Sequence, residues 1–393
     1  MRGTPGVFVG VPQLHPMRVE SMRVTAAGKT VSGEAGKEVG PQVDLISGVP
    51  AYPPTRLPVL DQRARGTRFI ELSVKSVLNT PASTHMGFWS INPYVGCEFG
   101  CMYCYARDTH RWVVERAESR KGGNLPPYRL TDLPPEEAFE KEILVKSDVA
   151  AVLARTLHPA RLAGQPLVIG TATDPYQPAE RRFRLTRGIL EVLRSYQGLS
   201  IEIITKSPLV TRDIDVLLAL SEQNEVNVNI SLATADPRLA RRLELRSPVP
   251  AARLRALRRL TAGGVYAGLI VAPIIPGITD DWAGLARLFE AAKEAGARYV
   301  IGSALRLGPA ARRRFLPFLE REFPQLYQRY RRHYATSDLS SHSYQEALTR
   351  RLDALRQAFG FAGDEASRRR RQRYAETERQ VVDRSAAEQA ALL

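Results

Sequence analysis

The chain has 393 residues, 44% hydrophobic and 25% charged, with a mean hydropathy of −0.24. That length supports one large domain or two ordinary ones with a sizeable core, and no apolar run approaches the ~20 residues that cross a bilayer. Lys and Arg number 56 against 41 Asp and Glu, a net charge of +15; this excludes a strongly acidic protein and makes nucleic acid a candidate partner, although an Arg-rich composition from a GC-rich genome gives the same excess.

Residues 1–66 are rich in Gly, Pro, Val and Ser with no helical or strand period. The run "GVPAYPPTRLPVL" reads as extended, poorly ordered chain. No basic-then-apolar signal pattern opens the chain, so the expected compartment is the cytoplasm. From 67 to 310 short runs rich in Val and Ile alternate with longer amphipathic ones. Six runs read as buried parallel strands: 88–94, 167–170, 201–205, 226–231, 267–272 and 299–301. Between them, Phe183, Leu185, Ile189, Leu190 and Leu193 suit one buried helix face. Ile214, Leu217 and Leu218 begin a second helix, with Thr211 or Asp213 available to cap it. Leu285, Leu288, Phe289 and Ala292 mark a third, with Gly296 at its C-terminal end.

The recurrence every ~30–40 residues is that of βαβ units, so an α/β fold is expected, either an open sheet or a partial barrel. In both, function gathers at the C-terminal strand ends. The polar residues there are Thr171, Thr173 and Asp174; Thr205, Lys206 and Ser207; Ser231 and Thr234; and Ser303 with Arg306. Residues 311–363 read as a C-terminal helical segment. Residues 364–393 read as a basic polar tail containing Arg368–Arg371, either a solvated end or a nucleic-acid arm. Further basic clusters lie at Arg181, Arg182, Arg184 and Arg187, and at Arg312–Arg314.

The cysteines carry the most information. There are three, Cys97, Cys101 and Cys104, all in "INPYVGCEFGCMYCYARDTH" just after the first expected strand. An odd, clustered set is not a disulfide framework; it points to a metal or cluster site in a reducing compartment. Three thiolates without a fourth leave one iron of a four-iron cluster open to an outside chelate. The rival is structural zinc, which needs a fourth ligand. His110 could complete a Cys₃His set, with His85 a weaker candidate, and a non-catalytic nucleic-acid-binding protein would then be the reading.

Cys-x₃-Cys-x₂-Cys with Tyr103 before the last Cys resembles the radical S-adenosylmethionine (SAM) signature. The segments "GTATDPYQPAERRFRLTRGILEVL", "ITKSPLVTRDIDVL", "LELRSPVPAARLRALRRLTAGG" and "VAPIIPGITD" resemble, in order, the spore photoproduct lyase-like branch, across roughly residues 70–310. The resemblance implies a partial (β/α)₆ TIM-type barrel and a [4Fe–4S] cluster held by Cys97, Cys101 and Cys104. It also implies SAM chelated to the fourth iron, and a 5′-deoxyadenosyl radical that abstracts hydrogen from substrate. A one-electron reductant such as flavodoxin or ferredoxin is implied with it, and nucleic acid is the candidate substrate.

Carried onto this sequence, Tyr103 would bring backbone near the adenine. Thr173 would supply a hydroxyl near the SAM amino group, Lys206 would pair with its carboxylate, and Ser231 would contact ribose or carboxylate. Asp174 joins this cofactor set. Glu180 and Arg306 are candidates to touch substrate, and Tyr176, Tyr105 or Tyr266 could relay a radical. Helix capping, surface pairing or ordinary packing are the alternatives for each. Spore photoproduct lyase uses a further cysteine to quench its product radical. This chain has none outside the motif, so the same repair cycle is not implied.

Overall fold

The structure is a computed structural model and describes residues 59–63, 66–84, 87–118, 131–162 and 165–361. The N-terminal segment up to 58 and the basic tail therefore lie outside the described residues. In chain order the strands are β1 (Val59–Gln62), β2 (Arg68–Glu71), β3 (Leu78–Asn79), β4 (Trp89–Ile91), β5 (Tyr94–Val95), β6 (Glu142–Val145), β7 (Leu167–Ile169), β8 (Ser200–Thr205), β9 (Glu225–Ser231), β10 (Ala267–Ile274) and β11 (Val300–Ala304).

The six Val- and Ile-rich runs form β4, β7, β8, β9, β10 and β11. They pair in parallel, each beside its predecessor, in one seven-stranded sheet ordered β11-β10-β9-β8-β7-β4-β3. A sheet wound in one direction by right-handed crossovers carries its helices on one face and curls. This is the partial barrel of the two expected alternatives, and β3 closes its edge antiparallel to β4. Side chains alternate across the strands. Ile201, Ile203, Val226, Val228, Ile230 and Leu269 pack toward the helices in the main core. Ile270, Tyr299 and Ile301 face the other way with Ile204, Tyr266 and Ala272.

The helices follow the expected faces with two exceptions. Leu185–Leu193 buries Leu185, Ile189, Leu190 and Leu193, and Trp282–Glu294 buries Leu285, Leu288, Phe289 and Ala292 behind an Asp281 cap on the Gly284 N–H at 2.7 Å. In Ile214–Ser221 the buried set is Val216, Leu217 and Leu220, while Leu218 is exposed. Asp213 precedes that helix without capping it, because Arg187 and Arg212 hold its carboxylate.

The expected first strand is two strands. Pro93, which has no N–H to donate, interrupts the ladder. β4 stays in the large sheet, and β5 crosses to a second, four-stranded sheet ordered β1-β2-β6-β5. β1 falls inside the segment expected to be extended. Three helices follow β11: Pro309–Glu322, Pro324–Thr336 and His342–Phe359. The first two bring Phe315, Phe318, Leu319, Tyr330 and Tyr334 into one apolar cluster with Cys97, Cys101, Met102 and Tyr103, and so back the cysteine loop. No helix among the described residues is long and apolar enough to cross a membrane.

Candidate active site

β5 delivers the chain directly into the cysteine loop. Gly96 has φ +97°, and a Cβ there would lie 2.9 Å from the Phe139 carbonyl oxygen. Only glycine fits that backbone and that approach. Thr173 Oγ1 donates to the Gly96 carbonyl at 2.6 Å and Gln177 Nε2 donates to it at 3.2 Å. Cys97 N–H donates to Phe139 O at 2.8 Å, and Glu98 N–H to Gln177 Oε1 at 2.8 Å. A second segment clasps the loop from outside. Met102 N–H donates to Leu243 O at 3.0 Å, Arg246 N–H to Phe99 O at 3.2 Å, and Ser247 Oγ lies 3.6 Å from Cys101 Sγ.

All three cysteines are free thiols and line one cavity of about 290 Å³. Burial pushes all three thiols up, Cys101 to about 12, against the pull of Lys206 on Cys101 and of Arg107 on Cys104. A metal centre supplies the positive charge that deprotonates such thiols. Among the described residues no group of three or more His, Cys, Asp or Glu could hold a metal ion together. Three thiols on one cavity wall match the three-ligand binding of a four-iron cluster with one open iron, whereas tetrahedral zinc needs a fourth ligand.

His110 does not supply the fourth ligand of the Cys₃His alternative. His110 is fully buried with its ring edge-on to Phe139 at 6.0 Å, and it does not line the cavity. Burial lowers its pKa to about 4. His85 lies outside the described residues.

The cavity brings together Tyr103, Thr173, Asp174, Lys206, Ser231 and Arg306. Lys206 Nζ sits 5.9 Å from the Tyr103 ring centroid. Burial opposes its charge, but Cys101, Glu244 and Asp174 more than offset that, and its pKa is raised. Asp174 accepts from Thr205 Oγ1 at 2.6 Å, Lys206 N–H at 2.7 Å and Tyr176 N–H at 2.9 Å, so it fixes the strand-end turns. Burial raises its pKa in spite of those bonds. Ser231 Oγ donates to Ala272 O at 3.3 Å. Apolar walls come from Phe88, Ile270, Pro273, Leu305 and Leu339.

Three candidates are not brought to the cavity. Glu180 is buried behind it, accepting from Tyr94 Oη at 2.6 Å, from Thr186 N–H at 3.1 Å and from Arg212 at 3.0 Å. Its carboxylate organises a turn. Tyr176 is fully buried under Arg212, 5.9 Å from its ring centroid. Tyr266 stacks on Tyr299, also off the cavity wall. Tyr105 does line it, with Oη donating to Thr171 O at 2.5 Å.

Sequence reasoning missed Glu244 and Arg253. Both are buried, ion-paired, and joined to the Tyr103 hydroxyl through Glu244. Arg253 holds the Glu244 carboxyl below its ordinary pKa although burial pushes the other way. The charged residues inside "LELRSPVPAARL" were the available signal. The basic clusters are also partly occupied. Arg187 pairs with Glu191, Asp213 and Asp215, and Arg312, Arg313 and Arg314 pair with Asp338, Glu136 and Glu140.

The chain is 34% identical over 301 residues to an uncharacterised protein of Mycobacterium tuberculosis, covering 76% of this chain and 83% of the relative. It is 26% identical over 268 residues to one of Methanocaldococcus jannaschii, covering 66% and 85%. A solved spore photoproduct lyase variant is 14% identical, with a TM-score of 0.49 over 75% of this chain and 80% of that one. The family model described as the radical SAM superfamily matches residues 91–289. Those residues run from the end of β4 through most of the helix Trp282–Glu294 and include the whole cysteine loop, and the chain belongs to the radical SAM superfamily.

Proposed function

We propose that this protein is an enzyme that holds a [4Fe–4S] cluster through Cys97, Cys101 and Cys104 and binds SAM in the same cavity. The observation that carries the reading is the cavity itself. Three free thiols from one clasped loop share its wall with a half-buried lysine, two hydroxyls and an apolar slot, a donor set suited to a zwitterion attached to an adenosine. When bound, the cluster supplies the electron that cleaves SAM to a 5′-deoxyadenosyl radical.

The chain's own residues bind and shield. Lys206 offers a cation for the SAM carboxylate. Ser231 and the backbone near Tyr103 contact the nucleoside. Thr173 uses its hydroxyl to hold the Gly96 carbonyl, so it acts on the cluster loop first and lends only its remaining lone-pair capacity to SAM. Phe88, Ile270 and Pro273 line the cavity with apolar surface and would keep water from the bound group. Arg306, beside Ser303 and Gln345, offers the substrate an anion contact. Tyr105 is the candidate relay phenol, since it reaches the cavity and Tyr176 and Tyr266 do not.

The motif resemblance and the +15 charge support a nucleic acid or nucleotide-bearing substrate. The test is anaerobic reconstitution with SAM, dithionite and ultraviolet-irradiated or undamaged oligonucleotides. The expected products are 5′-deoxyadenosine and deuterium transfer from labelled oligonucleotide, with transfer lost in Arg306→Ala. 5′-Deoxyadenosine without any transfer from either oligonucleotide removes the nucleic-acid substrate and keeps the enzyme. No SAM cleavage by an iron-loaded chain removes the enzyme.

A further inference from the structure

A second cavity of about 650 Å³ lies on the outer side of the cysteine loop and shares Phe99 alone with the first. Its wall carries Arg63, Arg181, Arg182, Arg241 and Arg246 against one acid, Asp61. Asp61 is itself paired with Arg182, and Arg63 and Arg246 are held by Glu98 and Glu140. Arg181 and Arg241 are exposed and pair with no carboxylate among the described residues. Val249 on the same wall is 40% exposed, and nearby Leu245 is 41% exposed. Arginine around exposed aliphatic side chains is the composition of a protein-docking surface. A duplex backbone presents mainly phosphate and sugar, and covers exposed aliphatic side chains such as Val249 and Leu245 less well than a protein surface does.

The groove reaches close to the thiols. Ser247 lies on its wall, and its hydroxyl is 3.6 Å from Cys101 Sγ. A molecule seated there would stand one side chain from the cluster position while leaving the first cavity clear for SAM and substrate. We infer that this arginine groove is the docking site of an acidic, low-potential electron-carrier protein. The carrier gives up one electron, and the cluster gains it; no bond forms or breaks. The partner's charge follows from the groove, because an acidic rim around its redox group complements arginines that no carboxylate neutralises, Arg241 donating only to the Leu245 carbonyl at 2.7 Å, and accelerates encounter by ~10–10³-fold at low salt. This inference rests on the cluster reading above.

The probe is an FMN-loaded flavodoxin of net negative charge, titrated into the full chain at low salt. A 20-nucleotide DNA is titrated in parallel. Arg181→Glu/Arg241→Glu should weaken flavodoxin binding at least tenfold, with the difference shrinking at high salt, and leave DNA binding unchanged. In the iron-loaded protein the same variant should slow cluster reduction by flavodoxin hydroquinone at least tenfold. Reduction by dithionite, which needs no docking, should proceed at the parent rate. Unchanged flavodoxin affinity in the variant overturns the inference. So does loss of DNA binding, alongside or instead, which would make the groove a polyanion surface. The binding titration needs no iron: a chain that fails to load iron refutes the cluster reading, while the titration still decides the groove.

Discussion

His110 gives a pH test that rests chiefly on burial, with the Arg107 charge acting in the same direction. It lies on the inner face of the helix Ala106–Glu118, fully buried against Phe139 and close to Arg107. Burial takes its pKa from 6.5 down to about 4. The unfolded chain therefore takes up this proton first as pH falls. The folded state keeps its full stability above about 6.5 and loses it progressively as pH drops toward about 4. That gap is worth about 3 kcal/mol, at about 1.4 kcal/mol for each tenfold change in proton affinity. His110→Leu removes the titrating group at nearly constant volume. Urea unfolding of both proteins at pH 7.5 and 4.5 should show the parent losing about 2–3 kcal/mol more than the variant. Parallel losses would refute the assignment of a neutral buried imidazole. The variant should also load iron like the parent; lost metal binding would return His110 to the ligand set.

Lys206→Met should weaken SAM binding roughly ten- to a hundredfold, from loss of a charged contact worth ~1.5–3 kcal/mol, with the cluster spectrum unchanged; equilibrium dialysis with labelled SAM reads the first and visible absorption the second. Glu244→Gln leaves Arg253 charged and buried without its partner, so a cost of about 3 kcal/mol is expected in denaturant unfolding. The apolar pair Glu244→Leu/Arg253→Met should recover much of that. Gly96→Ala puts a Cβ 2.9 Å from the Phe139 carbonyl; it should cost about 1–3 kcal/mol and lower iron loading, whereas Gly198→Ala, at positive φ with open space around it, should cost only stability. If DNA binds the chain, affinity should fall with a log–log salt slope near −0.9 per duplex phosphate neutralised, and a slope near zero would exclude phosphate contacts.

The parallel strands are legible because each is a continuous β-branched run flanked by helical periodicity, and the chain order of β7 through β11 is also their spatial order. The second sheet is not. Its strands are two to four residues long, too short to show alternation, and β5 is separated from β4 only by Asn92 and Pro93. The cysteine motif reads directly because its three thiols lie within eight residues of one another. Glu180 misleads because a carboxylate after a strand end looks the same whether it turns toward the cavity or toward Thr186 and Arg212. The basic runs mislead similarly: Arg187 finds Asp213 and Asp215 26 and 28 residues away, a pairing that only the packed helices reveal. Tyr105 and Tyr176 lie on opposite sides of the same question, and only tertiary structure decides which phenol meets the cavity.

The central claim is that one loop holds an iron–sulfur cluster whose open iron meets SAM. The most direct measurement is iron, sulfide and zinc content per chain after anaerobic reconstitution, with electron paramagnetic resonance of the reduced protein before and after SAM is added. The account predicts about four irons and four sulfides per chain, a reduced-cluster signal that changes when SAM binds, and loss of both in Cys97→Ala, Cys101→Ala or Cys104→Ala. One zinc per chain with no sulfide, or a cluster signal indifferent to SAM, would contradict it.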